Sequence, residues 1–99
     1  MKEDASVLIL NGSGVAGQAQ ELSYELQDKG FLVGGTDNAP DGTYAPIEIY
    51  QITQDKPATG KKLAELYGVS LKTTTPPASV LGTTDYLIII GAQRKTTTN

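Results

Sequence analysis

The sequence predicts an α/β (α+β) two-layer sandwich, β-α-β-β-α-β-β in order. Its mixed sheet of four to five strands carries two helices on one face, ferredoxin-like in general arrangement. Three observations predict it. Apolar residues 6–10 run into a glycine-rich turn and then a helical stripe; the stretch between the second and third strands is rich in Pro, Gly and Asp; and a second strand-helix pair precedes the most apolar run of the chain.

Ser6-Val7-Leu8-Ile9-Leu10 is a nearly continuous apolar run, as expected of a strand buried on both faces. Val15, Ala19, Leu22 and Leu26 recur at helical spacing, which places them on one face, and Gly30 stops that helix with Lys29 beside it at the negative end of the dipole. Phe31-Leu32-Val33 resumes as a strand that dissolves at Gly34-Gly35. Asn38 to Pro46 then reads as a loop of nine residues. In the next strand Ile47, Ile49 and Gln51 share one side while Glu48 and Tyr50 take the other. Pro57 suits the first position of a second helix, with Leu63, Leu66 and Tyr67 as its stripe and Gly68 as its stop; Gly60 weakens it by about 1 kcal/mol relative to Ala. Val69 to Thr74 reads as a short edge strand ended by Pro76-Pro77, and Tyr86 to Ile90 as a central strand. Residues 1–5 are expected to be an edge or linker, residues 6–92 a single domain and residues 93–99 a flexible tail.

Composition excludes several function classes. The 99 residues hold no Cys and no His, which removes thiol nucleophiles, imidazole acid-base chemistry, disulfides and structural zinc. Eight Lys and Arg against eleven Asp and Glu give a net charge of −3, and the basic residues are scattered apart from Lys61-Lys62 and Arg94-Lys95. No basic face is expected to track a phosphate backbone, so nucleic acid is not an expected partner. No apolar run reaches the ~20 residues that span a bilayer, and the stretch Met1-Lys2-Glu3-Asp4 lacks the apolar h-region expected of a signal peptide. The charged start followed at once by a strand predicts a piece of a longer, anchored protein.

Gly12-Ser13-Gly14-Val15-Ala16-Gly17 matches G-x-G-x-x-G between a strand and a helix, with Asp37 at the end of the next strand, and so resembles a dinucleotide fingerprint. A mononucleotide-binding half needs a second crossover helix, and Pro40, Gly42 and Pro46 occupy the place where it would stand. Its absence is expected to remove the parallel neighbour that forms a cofactor crevice. Asn11, where the fingerprint carries an aliphatic residue, points the same way. In the structural alternative Asn11 and Ser13 bond local backbone, Ser13 or Gly12 caps the helix, and Gly14 and Gly17 allow close helix-sheet approach. The helix start can still hold a small anion. No cofactor and no metal are expected. Asp37 and Asp41 read as turn formers, Asp85 likewise as structural, and Asn11-Gly12-Ser13 as a chance glycosylation sequon. The residues singled out for ligand binding are Asn11, Gly12, Ser13, Gly14, Gly17 and Asn38, with Tyr44 and Tyr50 as stacking candidates.

Residues 7–19, the Gly30-Phe31 helix exit, Asp37-Asn38-Ala39, Tyr50, Leu63 to Gly68 and Asp85 to Gly91 together resemble the LytR_C family, over about residues 6–92. This C-terminal module accompanies LytR-CpsA-Psr cell-envelope proteins or stands alone behind a membrane anchor. The resemblance implies an extracytoplasmic, non-catalytic bacterial module, tethered by an anchor outside this fragment. The arginines and aspartates of the LytR-CpsA-Psr catalytic domain belong to a much larger fold, and this chain has one Arg, Arg94. A transcriptional role finds no DNA-reading element here. The expected partner is peptidoglycan, an envelope glycopolymer or an envelope protein. Nucleotide or small-anion binding at the glycine turn, and a structural spacer or dimerisation unit, are the alternatives.

Overall fold

Strands β1 (Ser6–Asn11), β2 (Leu32–Asn38), β3 (Ile47–Gln51) and β4 (Tyr86–Ile90) form one sheet in the order β2-β1-β4-β3. The structure, a computed structural model, describes residues 5–15, 17–40, 44, 46–54, 56–73 and 84–91. β1 is parallel to both β2 and β4, whereas β3 is antiparallel to β4. Helices α1 (Gln18–Asp28) and α2 (Pro57–Tyr67) both pack on one face. Two helices over a mixed sheet of four strands make an α+β domain. The expectations for Asp41, Pro76-Pro77 and the tail at 93–99 lie outside the described residues.

The strand order departs from the expected ferredoxin-like arrangement, in which each β-α-β unit is split by an intervening strand. Here β1 and β2 are direct neighbours, and β2 and β3 stand at opposite ends of the sheet. The cause is β4: its five residues are all buried, which demands a place between two strands and under cover on both faces. The fifth strand expected at Val69 to Thr74 is reduced, among the described residues, to one parallel bridge between Tyr50 and Lys72. There the Gln51 N–H donates to the Lys72 carbonyl and the Lys72 N–H to the Ile49 carbonyl, both at 2.8 Å.

β2 does not dissolve at Gly34-Gly35. Val7 pairs with Val33 but Leu8 pairs with Gly35, so Gly34 is the extra residue of a bulge and the strand continues to Asn38. A side chain on Gly34 would meet Ser6 Oγ at 2.7 Å. Asp37 therefore lies in a strand opposite Leu10, and not in a loop.

α1 starts later than the apolar spacing implies. Val15 lies in the preceding turn and is 55% exposed, and Gly17, at φ 90°, is the cap residue without any side-chain cap bond. Capping by Ser13 or Gly12 is thus replaced by backbone geometry that only glycine adopts readily. At its other end the Phe31 N–H donates to the Leu26 carbonyl at 2.9 Å and Gly30 N–H to Gln27 at 3.0 Å, a Schellman closure with Leu26 and Phe31 both in the core. In α2 Pro57 opens the helix and Leu63 is fully buried, but Leu66 faces solvent, with Thr59 and Gly60 turned inward instead. The Tyr86 ring explains that choice, because it lies against the Gly60 Cα. Tyr67 Oη donates to Glu25 Oε2 at 3.3 Å and ties α2 to α1.

Alternation sorts the core into two faces. Val7, Ile9, Ile49, Tyr86, Ile88 and Ile90 meet Leu22, Leu26 and Leu63 under the helices. On the far face Leu10, Tyr50, Leu87 and Ile89 are covered in part by Ala39 and Tyr44, from the segment joining β2 to β3.

Candidate functional site

In sheets with parallel strands, ligands bind beyond the carboxyl ends of those strands. Here that end is built from Asn11, the glycine turn, the start of α1 and the end of β2. Asn11 organises the turn: its Oδ1 accepts from Ser13 N–H at 3.0 Å and from Ser13 Oγ at 2.6 Å, and its Nδ2 donates to the Val15 carbonyl at 2.8 Å. The Val15 N–H in turn donates to Ser13 Oγ at 3.0 Å. Both side chains are therefore engaged with local backbone, and the sequon amide nitrogen is occupied as well.

The glycines play different parts from those expected. A side chain at Gly14 or Gly17 would meet nothing within 4 Å, so φ values of 79° and 90°, not close helix-sheet approach, require glycine there. Close approach occurs at Gly12, where a Cβ would lie 2.5 Å from Tyr44 Cδ2 and 3.0 Å from the Ile90 carbonyl oxygen. Tyr44 covers Gly12 and donates its hydroxyl to the Pro40 carbonyl at 2.6 Å.

The same strand end is stitched across its width. Gly12 N–H donates to the Ile90 carbonyl at 2.8 Å, Ala39 N–H to Asn11 at 3.0 Å, and Gly91 N–H to Pro46 at 3.0 Å. β4 does supply β1 with a second parallel neighbour, contrary to the expectation that the missing crossover helix removes one. The crevice is nevertheless not that of a dinucleotide fold. Both helices lie on one face, so no reversal of winding opens a gap between β1 and β4, and the Tyr44 ring covers Gly12 beside Ile90.

What stays open is a cleft of about 210 Å³ on the β2 side. It is lined from α1 and its cap by Gly17, Ala19 and Gln20, and from the strands by Asn11, Thr36, Asp37 and Asn38. Asp37 Oδ1 accepts the Asn38 N–H at 2.8 Å. Asn11, Gly17 and Asn38 thus come together at this cleft, with Gly12, Ser13, Gly14 and Tyr44 in the adjoining turn. Tyr50 does not join them: it is 7% exposed within the far-face cluster and donates its hydroxyl to Glu48 Oε1 at 3.0 Å. Burial, then the hydrogen bond and charge of Glu48 and the nearby Tyr44, raise that hydroxyl above its ordinary pKa. Thr36 and Gln20 were not singled out from sequence. The available signal is positional, since Gln20 lies one turn past Gly17 and Thr36 immediately precedes Asp37.

The family model described as LytR cell envelope-related transcriptional attenuator, LytR_C, matches residues 4–93. The chain belongs to the LytR_C family. As a LytR_C domain it is a cell-envelope-related module, in agreement with the resemblance carried by its turn and helix ends. No curated protein matches it. A solved structure shares its fold: the crystal structure of the soluble domain of a conserved hypothetical secreted protein from Mycobacterium marinum, with TM-score 0.63 and 19% identity over 97% of this chain. The LytR_C chain spans 64% of that structure's length. Among the described residues of this LytR_C domain, no helix is long and apolar enough to cross a membrane and no group of three or more Asp or Glu side chains could hold a metal ion.

Proposed function

We propose that the domain is a non-catalytic, extracytoplasmic module of the cell envelope that binds wall glycan, beside a membrane-anchored or LytR-CpsA-Psr-type segment. The observation that carries this reading is the state of the strand end. Asn11 and Ser13 are bonded into their own turn, and the described residues that line the cleft next to them are Asn, Gln, Thr and Asp beside Gly and Ala, among which there is neither a nucleophile-base pair nor a cation. Such a surface recognises hydroxyl groups and does not transform them. Membership of a cell-envelope family supports the compartment. Co-sedimentation with purified peptidoglycan sacculi tests it: the domain is expected in the pellet, and full recovery from the supernatant at every sacculus concentration would sink the reading.

An envelope protein partner is the second reading, favoured by the edge strand. Among the described residues β2 has a strand on one side only, and Leu32 on it is 54% exposed. An added strand would satisfy its outward backbone groups. Hydrogen exchange at β2 amides is then expected to slow when a LytR-CpsA-Psr catalytic domain is added in trans; unchanged exchange would count against it.

A further inference from the structure

We infer that the Asn11-Gly12 peptide is a latent site of spontaneous deamidation: the fold bonds every reacting group of the pair, and Asn11 converts to aspartate and isoaspartate only in copies whose glycine turn has opened. Asn followed by Gly is open to this chemistry because no Cβ shields the glycine nitrogen from the carboxamide, whereas Asn38 is followed by Ala39. The turn requires both members of the pair. A Cβ at Gly12 would lie 2.5 Å from Tyr44 Cδ2, and Asn11 supplies three of the turn's hydrogen bonds.

The step needs no co-reactant but water. Gly12 N attacks Asn11 Cγ, the Cγ–Nδ2 bond breaks, and ammonia leaves with the proton that Gly12 N carried. The product is a five-membered imide. Water then opens it, at Cγ to give aspartate or at the main-chain carbonyl to give isoaspartate, which carries the chain through Cβ and Cγ and so lengthens it by an atom.

Attack requires the nitrogen to come within ~3–3.5 Å of Cγ in a reactive orientation. The main chain opposes that rotation. Asn11 is the last residue of β1, and the peptide joining it to Gly12 is held on both sides: its N–H donates to the Ile90 carbonyl of β4 at 2.8 Å, and its carbonyl accepts the Ala39 N–H beyond β2 at 3.0 Å. Turning Gly12 N toward the side chain breaks both bonds. The carboxamide is fixed as well, with Nδ2 on the Val15 carbonyl at 2.8 Å and Oδ1 under Ser13 N–H and Oγ. Those two bonds to Oδ1 draw electrons from Cγ and by themselves favour attack. They have no effect while the nucleophile is turned away, so the pinned peptide decides the rate.

Refolding cannot undo the conversion. Aspartate at position 11 lacks the donor that Nδ2 gives to the Val15 carbonyl, and isoaspartate displaces Gly12 N from the Ile90 carbonyl. A copy that has stayed open long enough thus carries a lasting chemical record of it.

The test holds the domain at neutral pH in buffer and in unfolding urea and follows Asn11 by peptide mapping, which separates it from Asp41-Gly42, a pair that passes through the same imide. Hydrogen exchange of the Gly12 amide, the same atom as the nucleophile, is measured in the same buffer. Asn11 is expected to convert in urea and to be slowed in the native domain on the order of a hundredfold or more, by a factor matching the exchange protection of Gly12 N–H to within about tenfold. Ser13→Ala, which removes the Oγ bonds to Asn11 and Val15, is expected to leave the rate in urea unchanged and to move the native rate and Gly12 exchange by the same factor. Equal rates in buffer and urea overturn the latch, as does slowing that departs from the exchange protection by more than about tenfold in either direction, or a Ser13→Ala variant in which the two rates diverge. Absence of conversion in urea overturns the site itself.

Discussion

Gly60 shows how one residue can obey tertiary packing against its own helix. An alanine there would gain about 1 kcal/mol of helix propensity. Its Cβ would also strike the Tyr86 hydroxyl and lie 2.8 Å from both Cε1 and Cζ of that ring. Tyr86 cannot yield easily, since it is fully buried and its hydroxyl donates to the Lys56 carbonyl at 2.8 Å. Overpacking costs about 1–3 kcal/mol, so Gly60→Ala should lower the urea midpoint, and less so in a Tyr86→Phe background that lacks the nearest atom. An alanine variant more stable than its parent would contradict this packing. Asn11 gives a second case. Replacing it by Ala removes two accepted bonds and one donated bond from the turn. The expected loss is about 1–2 kcal/mol, read as a fall of roughly 4–8 °C per kcal/mol in the melting temperature. A midpoint equal to the parent's would show that the turn is held by its glycines alone.

Between elements, Asp85 is the clasp that joins the start of β1, the start of β4 and the exit of β3. Its Oδ2 accepts from Ser6 N–H at 2.8 Å and from Lys56 Nζ at 3.3 Å, and its Oδ1 from Thr53 Oγ1 at 2.9 Å. Burial alone would raise its pKa, but the bonds from Ser6, Thr53 and Lys56 and the charge of Lys56 outweigh it and hold the carboxyl below its ordinary value. Because the folded value is lowered, the stabilisation is complete above the unfolded pKa of about 3.9 and is lost as pH falls through the folded one. Asp85→Asn is therefore expected to lose about 1–3 kcal/mol at pH 7 and to show a shallower decline in urea midpoint below pH 4 than the parent. Parallel acid profiles for the two proteins would place the acid sensitivity elsewhere. The structural role expected of Asp85 was legible, but its partners were not, because Thr53 and Lys56 are brought to it only by the antiparallel β3-β4 pairing. The helices were legible for a local reason: Ala19, Leu22 and Leu26 keep helical spacing in α1, Pro57 opens α2, and Gly30 and Gly68 end the two helices in left-handed geometry. β2 was cut short because Gly34-Gly35 looks like a stop in one dimension and is a bulge against β1 in two. In the candidate site Asn11 and Gly17 announced themselves through the turn motif, and Asn38 through the Asp37-Asn38-Ala39 part of the family resemblance. Gln20 and Thr36 acquire meaning only once α1 and β2 lie side by side.

At the scale of the whole molecule, the fold keeps the first half of a nucleotide-binding design and discards its consequence. β1, α1 and a parallel β2 with Asp37 just before its last residue, Asn38, are all present, yet the helices share one face and Tyr44 covers Gly12. Melting temperature should stay flat across NAD, ATP and other nucleotides, since a ligand of the native state raises it by mass action. A saturable rise with any of them would restore the cofactor reading. The sheet order carries a further consequence, one of timing. β4 sits between β1 and β3 but follows both in the chain, so Leu8 waits for Leu87 and Ile49 for Ile88. Contacts so distant in sequence form late. A peptide ending before Thr84 should thus show no cooperative unfolding transition. During synthesis β1, α1 and β2 can pair as they emerge, whereas β3 has no neighbouring strand among the described residues until Tyr86–Ile90 follows. The two halves of the sheet are therefore expected to stay unjoined until the central strand arrives to bridge them.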